Sequence, residues 1–202
     1  MRLFAALFPP QEAVEDLDAF LDVRRAAADF RWAQREQLHV TLAFLAEVAP
    51  WRLDELLERL ARAAARRTPF EVAIAGGGAF PDAGRAKVIW AGLSLGSEAA
   101  ATELERSASG ARAAAAKSGI AVDGARFRPH LTVARLGVPR EVSNWVRLLD
   151  AYSGPTWTAS SVTLVQSHLG DGPRGRPRYE VLAELPLGAV PPGAVAPGAV
   201  PL

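Results

Sequence analysis

The 202-residue sequence predicts an α+β fold built on antiparallel sheets. The first half reads as strand, helix, strand, helix, and the second half repeats that order in part. Helices and strands do not alternate strictly enough for a doubly wound parallel sheet. Half of the residues are hydrophobic, so the chain can bury a sizeable core in one domain or in two closely packed lobes.

Apolar periodicity assigns the elements of the first half. Residues 2–8, which are apolar except for Arg2, end at a Pro-Pro pair and are followed by acidic residues, so we interpret them as a buried strand and not as a signal peptide. Helical spacing of apolar residues predicts helices over 11–28 and 51–67. Alternation predicts a strand over 38–45 between them.

The second half carries turn and capping signals as well. Gly76–Gly78 predicts a turn, Ser97 is a candidate N-cap, and Pro139 is a candidate first residue of the last helix. The predicted elements are strands over 70–75 and 87–93, a helix from Ser97 to about Gly119, a strand over 127–135, a helix after Pro139 with Val142, Trp145 and Leu149 on one face, and strands over 157–166 and 179–185.

The end of the chain differs in composition from the rest. Residues 186–202 repeat Gly-Ala-Val-Pro and near variants and contain no charged residue, so they have little with which to form a packed core. We therefore predict a single catalytic domain over 1–185 and a disordered tail over 186–202.

Charge and composition exclude several classes of protein. The formal net charge is +1, which argues against binding long polyanions over the whole surface. There is no cysteine, which excludes thiolate nucleophiles, iron–sulfur clusters and cysteine zinc sites. No run approaches the roughly 18 apolar residues that span a membrane. These features predict a cytoplasmic protein with no membrane partner.

Two copies of one short motif stand out in a chain with three histidines. Both follow the pattern His-apolar-Thr-apolar-Ala, at His39–Ala43 and at His130–Ala134. Because side chains alternate between the faces of a strand, the His and Thr of each motif share one face. The residues that we expect on the buried face of the first strand are Leu38, Val40, Leu42 and Phe44. Two such strands that meet across a groove can surround one small ligand with two imidazoles and two hydroxyls.

This set of groups suits phosphoester hydrolysis without a metal ion. The pKa of an unperturbed imidazole is near 6.5, so one histidine can accept a proton from water while the other donates one to the leaving oxygen. Hydroxyls such as those of Thr41 and Thr132 can donate to phosphoryl oxygens. For either motif alone, a surface pair or a satisfied polar contact is the simpler interpretation. Metal binding is disfavoured, because the sequence lacks HExxH, HxH and cysteine ligands and His168 lies in no matching pattern.

With these motifs the sequence resembles the two-histidine (2H) phosphoesterases, and most closely the bacterial RNA 2′,3′-cyclic phosphodiesterases, once called 2′–5′ RNA ligases. The resemblance covers about residues 1–185. It is carried by the segments MRLFAALFPP, RWAQREQLHVTLAFLAEV and FRPHLTVARL, and further by PFEVAIAGGGAFP, VIWAGL, LVQSHL and RYEVLAEL.

The resemblance implies a bilobal α+β fold with two pseudo-symmetric lobes, each an antiparallel sheet flanked by helices, around a central cleft. It implies that His39 is the proton donor and His130 the proton acceptor, and that Thr41, Thr132 and Arg135 bind substrate. It implies neither a metal ion nor any other cofactor. Strand alternation argues against Arg135, which falls on the buried face unless the strand bends after Ala134.

The expected activity is hydrolysis of 2′,3′-cyclic phosphate at RNA 3′ ends to a 2′-phosphate, by a monomer. Two alternatives stay open. One is another 2H activity, on a 2′–5′ linkage, a cyclic nucleotide or an ADP-ribose cyclic phosphate. The other is an RNA-end-binding protein with little turnover, although binding alone requires cations more than titratable groups.

Several further residues are weaker candidates. Trp32 or Phe127 can stack on a base, but each also fits a core position. Three arginines, Arg31, Arg85 and Arg128, are candidates for steering phosphate. We expect His168 to be a loop or strand-end residue without a catalytic part.

Overall fold

The computed structural model describes residues 1–122, 124, 126–172 and 175–188. This described part contains nine strands and four α-helices. The strands are β1 (Leu3–Leu7), β2 (Arg31–Trp32), β3 (Val40–Leu45), β4 (Phe70–Phe80), β5 (Ala86–Leu95), β6 (Leu131–Arg140), β7 (Ser153–Ala159), β8 (Ser161–His168) and β9 (Arg178–Pro186). The helices are α1 (Gln11–Arg25), α2 (Leu53–Ala64), α3 (Glu98–Lys117) and α4 (Ser143–Asp150).

The strands form one antiparallel sheet in the order β7-β4-β5-β6-β3-β1-β8-β9, and β2 pairs with β6 beside this path. The sheet has two halves of four strands, β7-β4-β5-β6 and β3-β1-β8-β9. Within the described residues the halves are joined through one pair, Val40 opposite Leu131. The α+β prediction with two antiparallel lobes is confirmed, and the two histidine motifs lie at the junction.

The helices tie the two halves together. Helix α1 follows β1 of one half but packs on β4 and β7 of the other, while α3 follows β5 and packs on β3. The predicted N-cap of α3 is confirmed, because the Ser97 hydroxyl accepts from the N–H of Ala100 at 3.1 Å. Each helix buries its apolar side against the same face of the sheet, where the main core lies.

Strand β1 shows how the two faces of the sheet differ. Leu3 and Leu7 belong to the main core under the helices. Phe4 and Ala6 point the other way, because side chains alternate along a strand, and with Val165 they form a smaller apolar cluster. This second face has no helix over it among the described residues, and it carries the cavity described below.

The glycine run Gly76–Gly78 is not the predicted turn, because it lies inside β4. Gly76 has a φ of +74°, which a glycine adopts without the strain that a Cβ brings. A Cβ on Gly77 would lie 2.3 Å from the Cβ of Leu149 in α4, so that helix can approach only a glycine. The turn into β5 lies further along, at the short 3-10 helix Ala83–Arg85.

Pro139 lies in β6 and does not open the last helix. The ladder between β5 and β6 is irregular here. Ala86 and Val88 of β5 pair with Arg140 and Arg135 of β6, so β6 has extra residues between the two pairs. A proline fits such a bulge because no ladder hydrogen bond is required of it. Helix α4 begins instead at Ser143, whose N–H donates to the Glu141 carboxylate at 2.7 Å.

Two boundaries near the C-terminus also differ from the predictions. The strand expected over 157–166 is divided between β7 and β8 at Ser160, whose carbonyl accepts from the N–H of Leu187. Pro186 still belongs to β9 and Leu187 is buried, so the packed part extends past the predicted boundary. The rest of the predicted tail, 189–202, lies outside the described residues. No described helix is both long enough and apolar enough to cross a membrane.

Candidate active site

A cavity of about 550 Å³ opens on the uncovered face of the sheet, where β3 and β6 meet. Both motifs contribute to its wall, through His39, Thr41, His130 and Thr132. The pairing of Val40 with Leu131 places the residues that follow the two histidines directly opposite each other. The structure therefore brings together the two His-Thr pairs that lie far apart in the sequence.

The His39 ring is held by a contact with β1 and by a hydrogen bond to the turn before β3. Its ring stacks on Phe4, with the ring centroids 4.6 Å apart. Its Nδ1 lies 2.8 Å from the carbonyl oxygen of Gln37. The turn that carries Gln37 is anchored to α1, because Arg35 Nε donates to the buried carboxylate of Asp18 at 2.5 Å. These contacts fix the orientation of the imidazole before any ligand binds.

His130 has an equivalent arrangement in the other half. Its Nδ1 lies 2.6 Å from the carbonyl oxygen of Arg128, again two residues before the histidine. Its ring stands edge-on to Phe80, with centroids 4.9 Å apart, and Trp90 lies at 6.1 Å. A carbonyl oxygen can only accept, so in both histidines Nδ1 carries the hydrogen and Nε2 is left free to exchange a proton.

Both imidazoles are neutral at pH 7 in the free protein, because both pKa values are lowered. Burial lowers the pKa of His39 to about 4, and positive charge on His130, when that ring is protonated, or on Arg135 also opposes protonation of His39. Burial likewise lowers the pKa of His130, and Arg135 adds to the effect. The hydrogen bonds to the backbone carbonyls offset only part of these shifts. A bound anion favours the charged imidazole, so it raises both pKa values.

A β-bulge in each motif changes which side chains face the cavity, so the predicted faces are wrong beyond each threonine. In β3 the ladder to β1 skips Leu42, and in β6 the ladder to β5 skips Val133. Each skipped residue is the third after its histidine, and the side chains beyond it change face. Phe44, expected in the core, therefore lines the cavity, and so does Arg135, against which strand alternation argued.

Arginine side chains dominate the charge of the cavity. The four that line it are Arg2, Arg31, Arg135 and Arg176. None of the described lining residues is Asp or Glu. The Arg2 guanidinium lies 4.4 Å from the centre of the Phe44 ring. Burial raises the pKa of Tyr179, another lining residue, so its hydroxyl stays protonated and available as a donor. The wall suits a ligand that carries negative charge.

The weaker candidates divide into two groups. Arg31 and Trp32 line the cavity, and Trp32 also packs against the main core, whereas Phe127 packs against the core without lining the cavity. The side chains of Arg85 and Arg128 do not contribute to the cavity wall. The predicted strand-end position of the third histidine is confirmed, because His168 ends β8, and its Nε2 lies 2.8 Å from the Glu180 carboxylate.

Sequence reasoning missed several lining residues. The first are Arg2 and Phe4, which line the cavity. They alternate with the core residue Leu3, so they lie on the opposite face of β1, and β1 pairs with the strand of the first motif. The alternation is visible in the sequence, but the pairing is not. Arg176 and Tyr179 come from the loop and strand after β8, and no pattern in the sequence linked them to the histidines.

Comparisons with known proteins agree with this arrangement. A family model described as LigT-like phosphoesterase matches residues 7–90 and 95–174, that is, two successive segments with one histidine motif each. The chain is 31% identical over 91% of its length to an RNA 2′,3′-cyclic phosphodiesterase of Geobacillus stearothermophilus, and spans 56% of that relative's own length. It is 32% identical over 93% of its length to the Thermus thermophilus protein of the same name, covering 90% of it.

A solved structure also has this fold. The crystal structure of Escherichia coli LigT complexed with 3′-AMP matches with a TM-score of 0.73 at 25% identity. The match covers 92% of this chain and 97% of that one.

Proposed function

Because this chain belongs to the LigT-like phosphoesterase family, we propose that it hydrolyses the 2′,3′-cyclic phosphate at RNA 3′ ends and leaves a 2′-phosphate. The observation that supports this most is the junction of β3 and β6, where two His-Thr pairs face one cationic cavity. The names of the Geobacillus and Thermus relatives point to the same substrate. The substrate partner in this proposal is RNA, and the enzyme acts as a cytoplasmic monomer.

The reaction is a displacement at phosphorus. His130 accepts a proton from water as the water oxygen attacks, and the bond between phosphorus and O3′ breaks. His39 donates its proton to O3′, so the leaving group departs as a hydroxyl. The hydroxyls of Thr41 and Thr132 and the guanidinium of Arg135 stabilise the charge on the phosphoryl oxygens. The two histidines end the step with their protons exchanged and are reset by solvent.

Two features of the cavity support these roles. His39 is the more deeply buried imidazole and is stacked on Phe4, which suits a group that meets the ribose oxygen. His130 is less deeply buried, and solvent is the source of the attacking water. His39 is neutral in the free protein, so the proton that it donates is taken up as the anionic substrate binds.

The proposed reaction uses neither a metal ion nor an organic cofactor. Hard cations such as Mg²⁺ prefer carboxylate oxygens, and the described lining residues offer arginines instead. The described residues contain no cluster of three or more His, Cys, Asp or Glu that could hold a metal ion. The arginines supply the positive charge that a metal supplies in other phosphoesterases.

A substrate panel tests the function. It compares an oligonucleotide with a 2′,3′-cyclic phosphate end, small cyclic nucleotides, a 2′–5′-linked oligonucleotide and ADP-ribose cyclic phosphate, all in excess EDTA. We expect the largest kcat/KM for the cyclic-phosphate oligonucleotide. Tight binding without turnover would favour the RNA-end-binding alternative, and faster turnover of another member would reassign the substrate.

Gly78 of β4 is expected to affect the position of His130 through the Trp90 ring. Gly78 lies opposite Trp90 in the ladder, and a Cβ there would lie 2.1 Å from the Trp90 ring, which packs beside His130. We expect Gly78→Ala to lower kcat by roughly 10–100-fold, since a shift of about 1 Å in a catalytic group can cost that much. Gly96→Ala is the matched control, because nothing lies within 4 Å of the added methyl group. Equal kcat in the two variants, measured on the cyclic-phosphate oligonucleotide, would show that Trp90 does not position His130.

A further inference from the structure

The cavity holds more positive charge than one cyclic phosphate requires. A 2′,3′-cyclic phosphate is a diester and carries a single negative charge. The proposed reaction already assigns both histidines, both threonines and Arg135 to that group. Arg31 and Arg176 line the same cavity, and none of the described lining residues is a carboxylate that could neutralise them.

The position of Arg31 concentrates positive charge beside Arg135. Strand β2 pairs with β6 so that Arg31 lies directly opposite Arg135. Like charges at such positions destabilise a sheet, and neither arginine forms an ion pair with a described residue. An anion bound beside each guanidinium offsets that repulsion.

Arg176 completes a cationic group at this end of the cavity. Its side chain lines the cavity and forms no ion pair with a described residue. Arg31 Nη2 lies 3.5 Å from the carbonyl oxygen of Gly175, the residue before Arg176. A phosphate suits such a pair of guanidiniums, because the planar arginine fork can donate two parallel hydrogen bonds to its oxygens.

We propose that Arg31 and Arg176 bind a second phosphate, the one on the 5′ oxygen of the nucleoside that carries the cyclic phosphate. This inference rests on the proposed function. Arg31 and Arg135 lie on paired strands, which are about 5 Å apart, so the second phosphate lies beside the reacting one. The phosphate on O5′ is the nearest other anion of an RNA end. It is either the next diester of an RNA strand or a 5′-phosphomonoester.

Four substrates test the proposal through kcat/KM. They are a nucleoside 2′,3′-cyclic phosphate with a free 5′ hydroxyl, the same compound with a 5′-phosphate, a dinucleotide with a terminal cyclic phosphate, and that dinucleotide with an uncharged methylphosphonate linkage. A charge-assisted contact predicts that the charged dinucleotide exceeds its methylphosphonate analogue on the order of 10–100-fold. If the 5′-phosphate raises kcat/KM of the mononucleotide, the site accepts any 5′-phosphate. If kcat/KM rises only in the charged dinucleotide, the site is specific for an RNA strand.

Variants then locate the contact. Arg31→Gln and Arg176→Gln should each reduce the ratio between charged and methylphosphonate dinucleotides towards one. The control is Arg66→Gln, an exposed arginine outside the cavity, which should leave the ratio as in the wild type. Equal kcat/KM for the two dinucleotides in the wild type, or an unchanged ratio in both variants, overturns the second phosphate site. No turnover of any of the four substrates would instead refute the proposed function.

Discussion

Replacing either cavity histidine is expected to lower kcat by on the order of 10²–10⁴, because each variant loses one positioned acid or base. The test measures His39→Ala and His130→Ala on the cyclic-phosphate oligonucleotide. Circular dichroism should show that both variants remain folded. Since the two groups act in one step, the double variant should lose little beyond the slower single variant. Thr41→Ala and Thr132→Ala should cost less, because water or backbone donors can partly replace a hydroxyl.

The third histidine supplies a control for this prediction. His168 lies at the end of β8, outside the cavity wall, with Glu180 as its partner. His168→Ala should therefore turn over substrate at the wild-type rate. If either cavity variant is as active as His168→Ala, acid–base catalysis by the two histidines is wrong.

The pH dependence is expected to be bell-shaped and displaced to the acidic side in kcat/KM. This parameter reports the free protein, in which the pKa of His39 is about 4 and the pKa of His130 is also below its usual value. One histidine must be protonated and the other neutral. The optimum should therefore lie below pH 6.5, and kcat/KM should fall by about tenfold per pH unit on the alkaline side.

The profile of kcat should differ from that of kcat/KM in a defined direction. The bound phosphate anion raises the pKa of both imidazoles, so the kcat profile, which reports the complex, should move to higher pH. Circular dichroism at each pH separates this effect from unfolding, because protonating a buried His39 also destabilises the fold at low pH. A kcat/KM optimum above pH 7, or coincident profiles for the two parameters, would contradict the burial of the histidines as the controlling factor.

The duplicated motif could be located from the sequence because it depends on local geometry. A His and a Thr two residues apart on a strand share a face whatever the rest of the fold does. That rule placed His39 with Thr41 and His130 with Thr132, and the structure has all four in one wall. The pairing of the two strands, by contrast, came only from the duplication and the family resemblance.

The same rule failed beyond the threonines, because a bulge is not visible in the alternation of side chains. The residues skipped in the ladders, Leu42 and Val133, are apolar and read as ordinary core positions. The change of face that they cause brings Phe44 and Arg135 to the cavity. The local sign of this change in the sequence is that two consecutive apolar residues follow each threonine.

Long-range contacts explain the other differences. Gly77 and Gly78 looked like a turn because glycine is common in turns, but their partners are Leu149 and Trp90, which the sequence could not place beside them. Arg176 belongs to the cavity only because β8 and β9 lie next to β1 in the sheet. Such neighbours are set by topology and not by local pattern.

The central claim is hydrolysis of a cyclic phosphate by two histidines on defined sides of the phosphorus. Phosphorus NMR of the cyclic-phosphate oligonucleotide during turnover in excess EDTA tests it most directly. We expect the cyclic resonance to be replaced by that of a 2′-phosphomonoester, because in the proposed reaction His39 protonates O3′ as the bond from phosphorus to O3′ breaks. A 3′-phosphate product would contradict the assignment of sides, and loss of turnover in EDTA with recovery on added metal would contradict the two-histidine mechanism itself.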